Sequence, residues 1–348
     1  MTAARQLVST AVLALVVLPA SANAVDVITV KGSSRRLSGK ITSIGREKVV
    51  ITSGLRMTKS VDVPVNTIVK INWDGEPRTL DGLRNTEAAG RYPAAIKGYA
   101  GLLKAGSGNA NLVKDLKYFI ARTTARIALR DPTKLDDAIA KLTDFDKRNI
   151  NSYHHYELLS LLGEMQLAKK SYGDALTTYA KLAKAPWKDV RLSAKCAEAR
   201  VLLAQGNSAQ ARDLYNAVLA ETAKDATLKP LQSTANLGKA AALLKDGDED
   251  GALTALAGVI RNTPATNTAV MAEAFLLQGD CHRKKGDGKD ALLAYLRVDV
   301  LFAAETRFHP KALYYLTQLW AEVGKPLRAG DAKSRLTRTY PNSEWAKK

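Results

Sequence analysis

Cysteine is almost absent, with two residues in 348. A disulfide scaffold needs several pairs, so any core here must be held by packing alone. The 46% of hydrophobic residues can supply one. Long apolar runs are missing too. The longest, Leu7 to Leu18, is interrupted by Ser9 and Thr10, and falls short of the roughly 20 residues a bilayer core requires. Aromatic residues are 6% of the chain, and between positions 27 and 74 the only one is Trp73. Also missing are a nucleophile–base set, a paired-carboxylate signature and a phosphate-cradling glycine loop. Nothing in the sequence argues for catalysis, so the chain is expected not to be an enzyme and to need no cofactor or metal.

What is present begins at the amino end, "MTAARQLVSTAVLALVVLPASANA". Arg5 precedes the apolar run, Pro19 breaks it, and Ala22-Asn23-Ala24 offers small residues before a cut. This grammar predicts a secretory signal peptide over residues 1–24. A lipid anchor would need a cysteine just after the cut, and the first is Cys196. The expectation is a soluble exported protein, periplasmic or secreted, with no transmembrane segment after cleavage.

The formal charge is +18, or +17 once Arg5 is removed with the leader. It is unevenly spread. Lys31, Arg35, Arg36, Lys40, Arg46, Lys48, Arg56 and Lys59 stand against Glu47 alone, eight minus one giving +7. Residues 201–300 carry 11 basic and 12 acidic side chains and are nearly neutral. A basic surface favours anionic partners such as acidic polymers or lipid headgroups. An exported address makes nucleic acid the least expected of them.

Residues 27–74 alternate short β-branched runs with Gly/Ser-rich or charged turns, as several short antiparallel strands do. A small β-rich domain over 25–78 is expected, and closure into a compact barrel would remove its edges. The segments "GKITSI" and "VDVPVNTI" resemble the strands of SH3-like or Sm-like barrels. With Trp73 as the sole aromatic, the resemblance implies a structural or docking barrel rather than a groove for proline-rich ligands.

From Leu80 onward Ala, Leu and Lys dominate and the apolar spacing turns helical. A small residue recurs with a large one four positions later: Ala95/Tyr99, Ala138/Leu142, Ala175/Tyr179, Ala211/Tyr215, Ala252/Leu256 and Ala291/Tyr295. Ala329 continues the series, with Lys333 at the large position. Successive marker alanines from Ala138 lie 37, 36, 41, 39 and 38 residues apart. The alanine lets two helices approach and the large residue fills the gap beside it. With Leu162-Gly163 and Gly279 in first helices and Pro264 and Pro341 near unit ends, the pattern resembles tetratricopeptide repeats (TPR). The period exceeds the family's 34, and Ala199, Ala240 and Thr317 stand where its glycine belongs. The fold class is therefore mainly α, an irregular TPR-like superhelix of five to seven units over residues 80–348, behind the β module. The ending "YPNSEWA" is similar to repeat ends in periplasmic TPR proteins.

The resemblance implies a concave groove lined by first-helix side chains. Carried over position by position, it names Glu164, Arg200, Glu273, Asp280, Arg283, Lys284, Lys311, Tyr314 and Gln318, with Tyr314 and Arg283 as a local hot spot. It further implies a scaffold or adaptor for other envelope proteins or peptides; the alternative is an anionic polymer or lipid headgroup on the basic β module. Cys196 and Cys281 fall in first helices two units apart and are expected as free thiols. The adjacent His154 and His155 do not face one metal and read as capping or surface residues, and His309 reads as a helix start.

Overall fold

The computed structural model describes residues 25–33, 36–53, 59–106 and 108–348. The leader, its cleavage site, Arg35 and Arg56 lie outside the described residues. The alternating segment forms five antiparallel strands: β1 (Asp26–Val30), β2 (Leu37–Ile44), β3 (Lys48–Ser53), β4 (Lys59–Pro64) and β5 (Ile68–Asn72). Their order in the sheet is β4-β3-β2-β1-β5. The two edge strands are thus consecutive in the chain, joined only by a 3₁₀ turn at Val65–Thr67. So short a link between opposite edges requires the sheet to curl. In β5 the register skips Val69, between Lys70 opposite Thr29 and Ile68 opposite Val30, and this bulge turns the valine outward.

Among the described residues fourteen α-helices follow: α1 (Thr79–Ala88), α2 (Tyr92–Ala105), α3 (Ala110–Ala128), α4 (Leu135–Arg148), α5 (His155–Ala168), α6 (Tyr172–Leu182), α7 (Lys188–Ala204), α8 (Ser208–Thr222), α9 (Lys229–Asp246), α10 (Glu249–Asn262), α11 (Thr268–Lys285), α12 (Gly288–Leu301), α13 (His309–Glu322) and α14 (Pro326–Thr339). They pack in chain order as seven successive hairpins. Local signals start and stop them. The Asn109 and Asp248 side chains accept from free amides at the starts of α3 and α10, and Gly247 and Gly286 end α9 and α11 with φ of 86° and 83°. Those left-handed positions suit glycine.

Within the hairpins the alanine and its large partner are both buried: Ala175 with Tyr179, Ala211 with Tyr215, Ala252 with Leu256, Ala291 with Tyr295. The tyrosine rings lie so close to the facing helix that a Cβ on Gly163 or Gly279 would fall 2.4 or 2.6 Å from Tyr179 or Tyr295. Tyr215 lies instead against Gly238 of the following unit, at 2.1 Å from an added Cβ. First helices α3, α5, α7, α9 and α11 also touch in succession, and more closely than the second helices touch one another. The stack therefore curves with its first helices on the inside.

The sheet and the first hairpins share a core. Ile28, Val49, Ile51, Val63, Ile71 and Trp73 pack in the same cluster as Leu80, Leu112, Leu116, Phe119, Phe145 and Leu158. Trp73 Nε1 donates to Asp115 Oδ2 of α3 at 2.8 Å, and Arg46 donates to the Ile150 carbonyl.

The two adjacent histidines correct the surface expectation. His154 stacks on Tyr118 with ring centroids 3.8 Å apart, and its Nε2 lies 3.0 Å from Asp115 Oδ1. His155 Nδ1 lies 2.8 Å from Asp146. Both are buried, because neighbouring helices close over them: Tyr118, Phe119, Phe145 and Tyr153 surround the His154 ring. His309 does begin α13, buried between Asp299 and Tyr340.

Candidate partner-binding surface

The first helices deliver charged side chains to the inside of the curve. Glu164 of α5, Arg200 of α7 and Glu273 of α11 line one cavity of about 370 Å³, with Tyr92, Arg126 and Arg307. Each sits on an inner face because its helix buries the opposite stripe against its own hairpin partner. Glu164 is held by Arg307 at 3.2 Å, and Arg126 by Glu87 at 3.1 Å. Burial works against the charge on Arg200, but Glu273 first, then the Tyr215 and Glu164 side chains, outweigh it and raise the guanidinium pKa. Arg200 therefore remains a cation at a half-buried site.

A second group gathers at the carboxyl end. Asp280 accepts from Tyr295 at 2.8 Å and Lys311 at 2.5 Å. The Arg283 guanidinium lies 4.4 Å from the centroid of Tyr315. Tyr314 packs against Tyr315 and Trp345, with centroids 5.1 and 5.4 Å away, and Lys348 lies 3.7 Å over the Trp345 ring. The carboxyl-terminal turn thus covers Tyr314, and Arg283 neighbours Tyr315 in its place. Lys284 turns to the preceding unit, donating to the Leu244 carbonyl at 2.7 Å with Glu249 at 3.5 Å. Gln318 is exposed on α13.

Among the described residues, two of the basic side chains of the β module are engaged within it. Lys31 donates to the Asn66 carbonyl at 2.7 Å and Lys48 pairs with Asp62 at 2.6 Å. Arg36, Lys40 and Lys59 are exposed. Where the sheet meets α1, α3, α5 and α7 there is a larger cleft of about 810 Å³, lined among others by Val69, Arg122, Tyr156, Glu157 and Trp187. Nothing in the repeat pattern marks it, since its walls come from both modules.

The two thiols lie in separate buried clusters, Cys196 with Leu192 and Tyr215 and Cys281 with Leu237 and Leu256. Burial pushes them up to about 11 and about 12. Among the described residues no group of three or more His, Cys, Asp or Glu side chains could hold a metal ion.

Residues 127–190 and 196–266, which run from the end of α3 past α10, match the tetratricopeptide repeat family. The helical domain is a TPR-like solenoid. The TPR fold recurs in a tetratricopeptide repeat protein from Parabacteroides merdae, 14% identical over 78% of this chain and 97% of that one, with a TM-score of 0.50. It recurs in a Rap protein complexed with Competence and Sporulation Factor, 16% identical over 77% of this chain and 76% of that one, with a TM-score of 0.53. At such identities the likeness is one of fold alone. No curated protein sequence matches this chain.

Proposed function

We propose that this protein is an exported, non-enzymatic TPR scaffold that binds other proteins of the cell envelope through the inside of its curve. The observation that carries the reading is the cavity where Glu164, Arg200 and Glu273 meet, drawn from α5, α7 and α11. Stacked repeats suit a scaffold because each unit contacts only its neighbours and leaves one long surface for a partner. The Rap protein seen with its factor is a precedent for a TPR fold holding a partner. The amino-terminal leader supports export. Among the described residues no helix is long and apolar enough to cross a membrane. The β module, residues 25–78, reads as an SH3-like docking barrel packed on the solenoid of residues 80–348; the single 3₁₀ turn between its edge strands supports that closure.

The reading is tested in the native envelope by proximity labelling from the full-length protein. Arg200→Ala with Glu273→Ala should erase a defined set of labelled envelope proteins while leaving the circular dichroism spectrum unchanged. A labelling profile identical to that of the unaltered protein would overturn it.

A further inference from the structure

The loop between α12 and α13, residues 302–308, lies across the inner cavity and not on the outer surface. Ala304, Glu305, Thr306, Arg307 and Phe308 all line the cavity. Phe302 and Phe308 anchor its two ends in the carboxyl-terminal core cluster. Between these anchors the loop reaches the far side of the curve. Arg130 at the end of α3 donates from Nε to Thr306 Oγ1 at 3.1 Å, although 176 residues separate them. The same guanidinium donates to the Gly90 carbonyl at 3.3 Å and lies 4.4 Å from the Tyr92 ring centroid. Arg307 Nη1 reaches Glu164 Oε1 of α5 at 3.2 Å across 143 residues.

We infer that residues 302–308 form a strap that holds the place of a partner, and that the partner is a segment presenting a basic side chain to Glu164. The inference rests on the inner face being the partner surface. Its logic is charge and competition. Glu164 is the groove carboxylate that the chain already satisfies with its own arginine, so a guanidinium or ammonium arriving on a partner replaces Arg307 like for like. Both contacts across the curve are polar, as is the one that Thr268 of α11 donates to Glu305, and the Glu164 and Arg307 side chains are 30% and 39% exposed. An ion pair so open to water is weak, which lets the strap be exchanged. The buried phenylalanines keep the displaced loop attached to α12 and α13.

The test uses the full chain and a fluorescein-labelled hexapeptide of the strap's own sequence, Ala-Ala-Glu-Thr-Arg-Phe, followed by fluorescence anisotropy. Arg307→Ala and, separately, Thr306→Val each release one strap contact while leaving its partner in the groove, and should tighten peptide binding about fivefold over the unaltered protein, the factor about 1 kcal/mol supplies. The same peptide with Glu in place of its Arg should not bind. Glu164→Gln in the Arg307→Ala background should abolish the gain. If one release variant does not fold, as judged by circular dichroism, the other carries the test. Equal binding by variant and unaltered protein, no binding by any of them, or equal binding of the Glu-containing peptide would overturn the strap. If peptide exchange succeeds while envelope labelling is unaffected by the groove substitutions, the scaffold reading fails and the strap stands; the converse pair of results sinks the strap alone.

Discussion

Tyr215 is large, aromatic and almost wholly buried, and its fit depends on a hydrogen atom. Gly238 faces it with no side chain, and a Cβ there would stand 2.1 Å from the ring. Intrinsic helix propensity favours alanine over glycine by about 1 kcal/mol. Overpacking against a buried ring costs about 1–3 kcal/mol, so the clash outweighs the propensity. Gly238→Ala is expected to lower stability in urea-induced unfolding. Gly258 in α10 is the internal control, because an added Cβ there meets nothing within 4 Å. Gly258→Ala should stabilise by about 0.4–1 kcal/mol. A common sign for the two would refute the packing account of Gly238.

At the scale of elements, the joint between sheet and solenoid is polar at its centre. Asp115 of α3 receives Trp73 from the end of β5, Tyr153 at 2.7 Å and His154 at 3.0 Å, from just before α5. Burial alone would depress the His154 pKa, but the Asp115 carboxylate beside it, with Glu157, raises it above the ordinary imidazole value. A group raised in the folded state contributes stability that is complete below its unfolded pKa, about 6.5, and is lost as pH climbs through the folded value. Glu157 has the opposite sign. Burial would raise its pKa, yet His154 and Arg122 hold it down to about 2, so its contribution is present above pH 4.5 and lost as pH falls towards 2. Stability should therefore decline as pH rises above about 6.5, with urea-induced unfolding at successive pH values reporting the change. His154→Gln should flatten that limb of the curve and make the acid limb shallower, since His154 is one of the groups that hold Glu157 down. An unchanged alkaline slope in the variant would show that His154 is not its source.

At the scale of the whole molecule, a five-stranded sheet is built into the first turns of a repeat stack. Repeats contact mainly their neighbours, so damage stays near its source. Deleting residues 25–72 uncovers Leu80, Leu112, Leu116 and Phe119, which now pack against Ile28, Val49 and Ile71. The deletion should remove hydrogen-exchange protection from α1 to α5 and lower the thermal midpoint, while α9 to α14 keep theirs. Uniform protection along the deleted chain would mean that the solenoid closes its own amino-terminal end. The substitutions suggested for testing the inner face leave this joint untouched.

A stack of five to seven hairpins was legible because small-large pairs recur at helical spacing, and a period of 36 to 41 residues survives drift in every other position. Ala175, Ala211, Ala252 and Ala291 are buried where that register puts them. The strands were legible from two-residue alternation and glycine-rich turns. Of the inner-face residues, Glu164, Arg200 and Glu273 share one cavity, while Asp280, Arg283, Lys311 and Tyr314 form a separate group in which Trp345 of the tail packs on Tyr314 and Arg283 stays exposed. No local pattern separates the two sets, since both occupy equivalent repeat positions.

Sequence alone determined the helical periodicity, the hairpin unit and the change of texture near Leu80, because each follows from contacts a few residues apart. Tertiary structure alone decided that His154 is buried among rings of α3 and α4, that Gly238 accommodates a tyrosine from another unit, and that Arg130 meets Thr306 across 176 residues. The physical reason lies in how curvature accumulates. Each unit adds a small rotation set by how closely neighbouring first helices pack, and only the sum over many units brings α3 and α5 back to the loop before α13.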